Sequence, residues 1–284
     1  MEKLLVTAEE LAKHLDDPAW VVFDTRHELT DPDAGREHYA EGHIPGAYFL
    51  HTDRDLAGPR TGSNGRHPLP DVQVFAARIN QCGVTPSAQV VVYDDLGGNF
   101  AVRLWWMLRW LGHERVALLD GGWPLWLREK RPVSKEVPPP RAGSFVPRPR
   151  LGATVDVHFV ERFREDPAAK LVDARAAARY SGANETIDPV AGHVPGAIHR
   201  FWQKNLEPDG RFKDPAELRE EWLDLLGDAD VEKTVHMCGS GVTACHNLFA
   251  LELAGLGKGR LYAGSWSEWC ADRSRPVATG MSPR

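Results

Sequence analysis

The residue best placed for covalent chemistry is Cys238, in the run Cys238-Gly-Ser-Gly-Val-Thr-Ala244. The apolar stretch Thr234-Val-His-Met237 precedes it, and a helix is predicted to begin near Thr243. A loop at the C-terminal end of a parallel strand, feeding a helix N-terminus, is where open α/β sheets place ligands. Gly239 and Gly241 let the backbone curl, so that successive N–H groups turn inward on the cysteine sulfur. The positive end of the following helix adds to them. Both effects favour thiolate over thiol. They would equally hold a persulfide, whose terminal sulfur is anionic. Taken alone, the loop is also consistent with a buried structural cysteine ahead of a helix.

The elements that must position this loop occur twice. Val22-Phe-Asp-Thr-Arg26 recurs as Leu171-Val-Asp-Ala-Arg175, and Gly42-His-Ile-Pro-Gly-Ala47 as Gly192-His-Val-Pro-Gly-Ala197. Asp120-Gly-Gly-Trp-Pro-Leu-Trp126 matches Ala263-Gly-Ser-Trp-Ser-Glu-Trp269. Three motifs in one order at near-constant displacement mean two copies of one domain. Aligning Gly98 with Gly241 sets Asp95 opposite Cys238, so the first copy keeps the scaffold without the thiol.

Each copy reads as α/β. Trp20-Val-Val-Phe23, Val90-Val-Val-Tyr93 and Val116-Ala-Leu-Leu119 suit buried strands of a parallel sheet, with Lys170-Leu-Val-Asp173 and Thr234-Val-His-Met237 in the second copy. Thr7-Ala-Glu-Glu10 has capping-box spacing and opens a helix carrying Leu11 and Leu15. Residues 99–111 and 243–254 read as helices that stop near Gly112 and Gly255. Alternation of strands and helices predicts, for each copy, a parallel sheet with helices on both faces. The predicted boundaries are 1–133 for the first domain and 152–284 for the second. Residues 134–151 form a proline-rich, extended and stiff linker between them. In the two Pro-Gly turns, His43 and His193 are expected to brace the turn by hydrogen bonding.

At 284 residues the chain is long for one compact domain and comfortable for two. A net charge of −6 argues against nucleic acid as the main partner, since that role needs a basic face. No apolar run approaches the roughly 20 residues needed to cross a bilayer. The start, Met1-Glu-Lys-Leu-Leu-Val-Thr7, lacks the basic stretch and apolar core of a secretory signal. Cys82, Cys238, Cys245 and Cys270 are too few and too irregular for a disulfide scaffold. Together these features predict a soluble cytoplasmic protein with reduced thiols and neither nucleic acid nor membrane as partner.

The sequence resembles the tandem-domain rhodanese-type sulfurtransferases over essentially its whole length. Tyr39-Ala-Glu-Gly-His-Ile-Pro-Gly-Ala-Tyr-Phe-Leu50 fits the family's N-terminal signature, and Tyr262-Ala-Gly-Ser-Trp-Ser-Glu-Trp269 the core of its C-terminal one. The Cys238 loop is similar to that of the 3-mercaptopyruvate branch. The resemblance implies sulfur transfer from a small donor to a thiol or cyanide through a Cys238 persulfide, with no metal or organic cofactor. It implies substrate binding by the loop residues Gly239, Gly241, Val242 and Thr243. It also implies a substrate-binding role for Arg179, a structural one for Arg175 beside Asp173, and a proton relay through Asp53, His67, Ser240 and Cys238. The spacing of Arg175 and Arg179 predicts that both lie on one side of a helical turn.

Charge in the loop bears on the donor. Thiosulfate is a compact dianion and calls for cations beside the sulfur. The residues after Cys238 are Gly239 and Ser240, both neutral. A keto acid with one carboxylate and a thiol needs less positive charge, but its thiol proton must be managed. Ser240 suits that task, or equally backbone capping. The branch's second substrate arginine has no counterpart in Asn184-Glu-Thr-Ile-Asp-Pro-Val-Ala191, which leaves thiosulfate open. A cysteine phosphatase needs Arg six positions after its nucleophile, where this chain has Ala244. A metal site from Cys238, Cys245 and His246 lacks the paired spacing of structural zinc ligands. A sulfur-carrier or docking module that does not turn over remains the non-enzymatic alternative.

Overall fold

In the computed structural model, which describes residues Lys3–Pro283, the chain forms two compact units. The first extends to Gly58, resumes over Leu69–Arg150 and includes Glu207–Phe212. The second takes Pro59–Pro68, Leu151–Leu206 and the chain from Lys213 onward.

The first unit carries β1 (Leu5–Val6), β2 (Trp20–Asp24), β3 (Tyr48–Phe49), β4 (Gln89–Tyr93) and β5 (Val116–Leu119), ordered β1-β5-β4-β2-β3. The second carries β6 (Thr154–Val155), β7 (Leu171–Asp173), β8 (Ala197–His199), β9 (Val235–Met237) and β10 (Arg260–Tyr262), ordered β6-β10-β9-β7-β8. Every pairing is parallel, so the duplication read from the motifs is a duplication of topology. The strands are short apolar runs because both faces are covered. In the second unit Leu171, Val235 and Met237 pack with Val160, Trp266 and Trp269. Val172, between them in phase, packs instead with Leu218, Trp222 and Leu251.

The helices begin and end where local chemistry dictates. Thr7 accepts the N–H of Glu10 through its side chain and opens α1 (Ala8–Ala12). The helix α4 (Ala101–Trp110) gives way to Gly112 at φ +89°, and α9 (Ala244–Leu253) to Gly255 at φ +66°. His43 and His193 brace their turns: the His43 ring bonds the carbonyls of Tyr39 and Glu136, and the His193 ring those of Tyr180 and Ser282. The proline-rich stretch holds no helix, as its prolines require. It is held along the first unit rather than hanging as a spacer. The N–H groups of Arg141 and Gly143 donate to Gln81 and Asn80 carbonyls, and Phe145 is buried.

Candidate active site

Cys238 is the first residue beyond β9, and its side chain is buried, only 2% of the residue being exposed. The N–H groups of Gly241 and Ser240 point at its Sγ, at 3.1 and 3.4 Å. The loop is pinned from behind by residues 265–267. Cys238 N–H donates to Ser265 Oγ at 3.1 Å, while Trp266 and Ser267 N–H groups donate to the Cys238 and Gly239 carbonyls. Ser265 adopts φ +54°, a conformation costly for a residue with a side chain, and the hydroxyl bond to the loop is what that strain provides. Gly241 sits at φ +78°, and a Cβ there would lie 2.3 Å from the Ala263 carbonyl oxygen. Val242 and Thr243 lead into α9, their carbonyls accepting from Cys245 and His246 N–H groups. Cys245 and His246 are buried residues of that helix.

Ser240 is buried and its Oγ lies 2.7 Å from Nδ1 of His67. The ring therefore shares a proton with a hydroxyl whose own backbone N–H faces the sulfur. His67 comes from Pro59–Pro68, the stretch that joins the second unit. Asp53 belongs to the first unit, where its N–H donates to His51 Nδ1 at 3.0 Å.

Beside the loop lies a cluster of buried charge. Arg175 holds both Asp173 oxygens and the Gly192 carbonyl, with its guanidinium 4.7 Å from the Trp266 ring centre. It precedes α7 (Ala177–Tyr180) instead of lying in it, so the two arginines do not share a helical turn. The Asp173 and Gly192 bonds hold Arg175 back in the extended segment, and Ala176 at ψ 146° separates it from the helix. Arg179 does lie in α7. Its Nε bonds both Glu185 oxygens at 3.0 Å, and its Nη2 bonds Asp188 Oδ2 at 2.8 Å. Arg66 Nη1 takes the other Asp188 oxygen. Burial opposes ionisation of Glu185, but Arg179 and the N–H groups of Asp188 and Ile187 outweigh it and hold its pKa below the ordinary range. For Asp188 burial prevails over both arginines and pushes the pKa up.

The rhodanese-like domain family model matches this chain twice, over residues 7–129 and 156–272. The chain belongs to the rhodanese family. This rhodanese is a sulfurtransferase by its relatives. It is 47% identical over 278 residues to a probable 3-mercaptopyruvate sulfurtransferase of Pseudomonas aeruginosa, covering 97% of this chain and 98% of that one. It is 35% identical to a putative thiosulfate sulfurtransferase of Mycobacterium tuberculosis, over 99% and 98% of the two chains. Among solved structures, 3-mercaptopyruvate sulfurtransferase from Leishmania major matches with a TM-score of 0.82 at 30% identity, over 94% of this chain and 74% of that one.

Strand register corrects one internal equivalence in this rhodanese. Asp24 pairs with Tyr93 as Asp173 pairs with Met237, so the residue at the place of Cys238 is Asp94, not Asp95. The Trp123 N–H donates to the Asp94 carbonyl just as that of Trp266 donates to Cys238. The first loop is one residue longer between strand and helix, which shifts any count made backwards from Gly98. The Asp94 carboxylate accepts four N–H groups, from Leu96, Gly98, Phe100 and Ala101. The first copy thus fills its anion cradle with its own side chain. Asp94→Ala is expected to lower the unfolding free energy by roughly 2–4 kcal/mol, because four buried donors lose a charged acceptor. Urea denaturation with hydrogen exchange at residues 96–101 measures this; a loss below about 1 kcal/mol would refute it.

Arg66 and Asp188 are site residues that the motifs do not reveal. The adjacency of Arg66 to His67 was the one available signal. Among the described residues, His27, His51 and Asp53 in the first unit are the single set whose possible metal-ligand atoms lie within 4.8 Å of one another.

Proposed function

We propose that this rhodanese takes sulfur from 3-mercaptopyruvate onto Cys238 and passes it to a thiol or to cyanide. The observation that carries the reading is the 2.7 Å contact between Ser240 Oγ and His67 Nδ1, next to a sulfur that receives two loop N–H groups. The Cys238 thiolate attacks the donor sulfur, the C–S bond breaks, and its electron pair leaves on the enolate of pyruvate. The donor's thiol proton moves to that carbon through Ser240 and His67, which leaves the Cys238 persulfide as an anion held by loop N–H groups. An acceptor thiol then takes the outer sulfur and regenerates the thiolate; cyanide gives thiocyanate. Arg179 binds the donor carboxylate, and Asp53 orients His67 in this scheme. Gly239, Val242 and Thr243 complete the backbone cradle. The 47% identity to a probable 3-mercaptopyruvate sulfurtransferase supports the same donor. No metal or organic cofactor takes part in these steps.

Thiosulfate is the second reading, favoured by the guanidinium groups of Arg66 and Arg179 beside the loop and by the M. tuberculosis relative. Comparing kcat/KM for the two donors in one preparation decides between them. A preference for 3-mercaptopyruvate of at least about tenfold (about 1.4 kcal/mol) is expected, and a thiosulfate preference would overturn the reading. Ser240→Ala is expected to cut kcat with 3-mercaptopyruvate by about 10²-fold. Thiosulfate carries no thiol proton, so its turnover should change much less. Equal losses with both donors would remove the proton role from Ser240. Persulfide formation without turnover would instead indicate a sulfur-carrier module. No disulfide links the four cysteines, and no helix among the described residues is long and apolar enough to cross a membrane. We read the setting as the reducing cytoplasm.

A further inference from the structure

Residues 184–191, where a second substrate arginine is absent, supply Glu185 and Asp188 instead. These acids orient arginines that arrive from elsewhere. Asp188 spans the pair, with Oδ1 on Arg66 Nη1 and Oδ2 on Arg179 Nη2, while Glu185 takes Arg179 Nε. The backbone N–H of Arg66 donates to Ser267 Oγ at 3.0 Å, within the segment that pins the cysteine loop. The ends of the two guanidiniums converge over Gly239. A Cβ on Gly239 would lie 2.8 Å from Arg66 Nη2 and 3.2 Å from Arg179 Nη1. Neither of those nitrogens has a protein acceptor among the described residues, and the two side chains are 22% and 19% exposed. Two forked cations beside the nucleophile's neighbour, each with N–H groups to spare, match the two oxygens of a carboxylate. Gly239 is the residue whose missing side chain leaves them room.

We propose that Arg66 is the second carboxylate-binding cation of the donor site, paired with Arg179 and held in place by Asp188. This rests on the keto-acid reading of the donor. The cation that the cysteine loop lacks is delivered from Pro59–Pro68, the same stretch that carries His67. Donor binding and proton handling are thereby coupled through adjacent residues.

The test compares wild type, Arg66→Gln and Arg66→Lys with 3-mercaptopyruvate and with 1-mercaptopropan-2-one, a donor that keeps the thiol and ketone but has no carboxylate. Arg66→Gln should raise KM for 3-mercaptopyruvate about 10- to 100-fold with kcat changed less than about threefold. Arg66→Lys, which keeps the charge but loses the fork, should fall between. The carboxylate-free donor should show the same kcat/KM in all three. Equal losses with both donors, or a loss confined to kcat, would show that Arg66 only supports the fold around His67 and would overturn the proposal, as would an unchanged KM. A wild type inactive with 3-mercaptopyruvate but active with thiosulfate would overturn the donor reading instead. The arginine pair is then judged by 3-hydroxypyruvate as a competitive inhibitor against thiosulfate. Its Ki should rise at least about tenfold in Arg66→Gln, and an equal Ki would overturn the pair.

Discussion

Cys238→Ser is expected to abolish turnover with every donor, by at least about 10³-fold in kcat/KM, because it removes the sulfur that carries the transferred atom in the proposed mechanism. A hydroxyl in that place is almost wholly protonated at neutral pH, and it cannot form a disulfide-type bond to the transferred atom. The cradle itself survives the change. The Ser240 and Gly241 N–H groups that now reach Sγ would meet Oγ, and the bonds of the Cys238 backbone to Ser265 and Trp266 do not involve the side chain. Stability should therefore shift by less than about 1 kcal/mol, which separates a chemical loss from a folding one. Mass spectrometry after donor treatment should show one added sulfur atom on the wild type and none on the variant. An unmodified wild type, or a labelled serine variant, would remove Cys238 from the chemistry. Cys82, Cys245 and Cys270 are buried as well, and burial pushes the thiols of Cys82 and Cys270 up to about 11. Those two stay protonated at neutral pH and are poor competitors for the donor.

Gly241→Ala is expected to damage both the fold of the loop and its chemistry. A side chain at φ +78° costs about 1–2 kcal/mol in its own backbone strain. The added Cβ would also meet the Ala263 carbonyl oxygen at 2.3 Å, and a backbone atom there has little freedom to give way. The total expected loss is about 3 kcal/mol or more. Relief requires the peptide to move away from Ala263, which takes the Gly241 N–H off the Cys238 sulfur. The sulfur then loses the shorter of its two loop hydrogen bonds, and kcat should fall by about 10²-fold. Gly255→Ala serves as the comparison. It has φ +66° and nothing within 4 Å of the added atom, so only the backbone strain remains, about 1 kcal/mol. If the two variants melt together and the Gly241 variant keeps its activity, the loop does not hold the sulfur as described.

Much of this molecule is legible in its sequence because the signals are local. The strands are contiguous apolar runs, and the helix stops at Gly112 and Gly255 are single residues with positive φ. The Pro-Gly turns with their histidines need only neighbouring carbonyls. Motifs at fixed displacement expose the duplication without any knowledge of packing. The backbone cradle at Cys238 is equally local, since a strand end, two glycines and a helix start suffice to turn N–H groups onto the sulfur.

Chain order by itself thus determined the repeated α/β architecture and the place of Cys238 between a strand end and a helix start in this rhodanese, whereas Arg179 was singled out by the family resemblance. Tertiary structure decided which residue replaces the thiol in the first copy. Asp94 and Asp95 are adjacent in sequence, and only strand register shows that the first loop has one residue more. It also placed Arg175 outside the helix, because ties to Asp173 and the distant Gly192 carbonyl outweigh helical spacing. The charge beside the nucleophile is likewise non-local. Arg66 and Asp188 are 122 positions apart, and no pattern along the chain records an ion pair between them. Coulomb attraction and burial act through space, so a loop with no cation of its own acquires two guanidiniums once the fold brings residues 66 and 179 over Gly239.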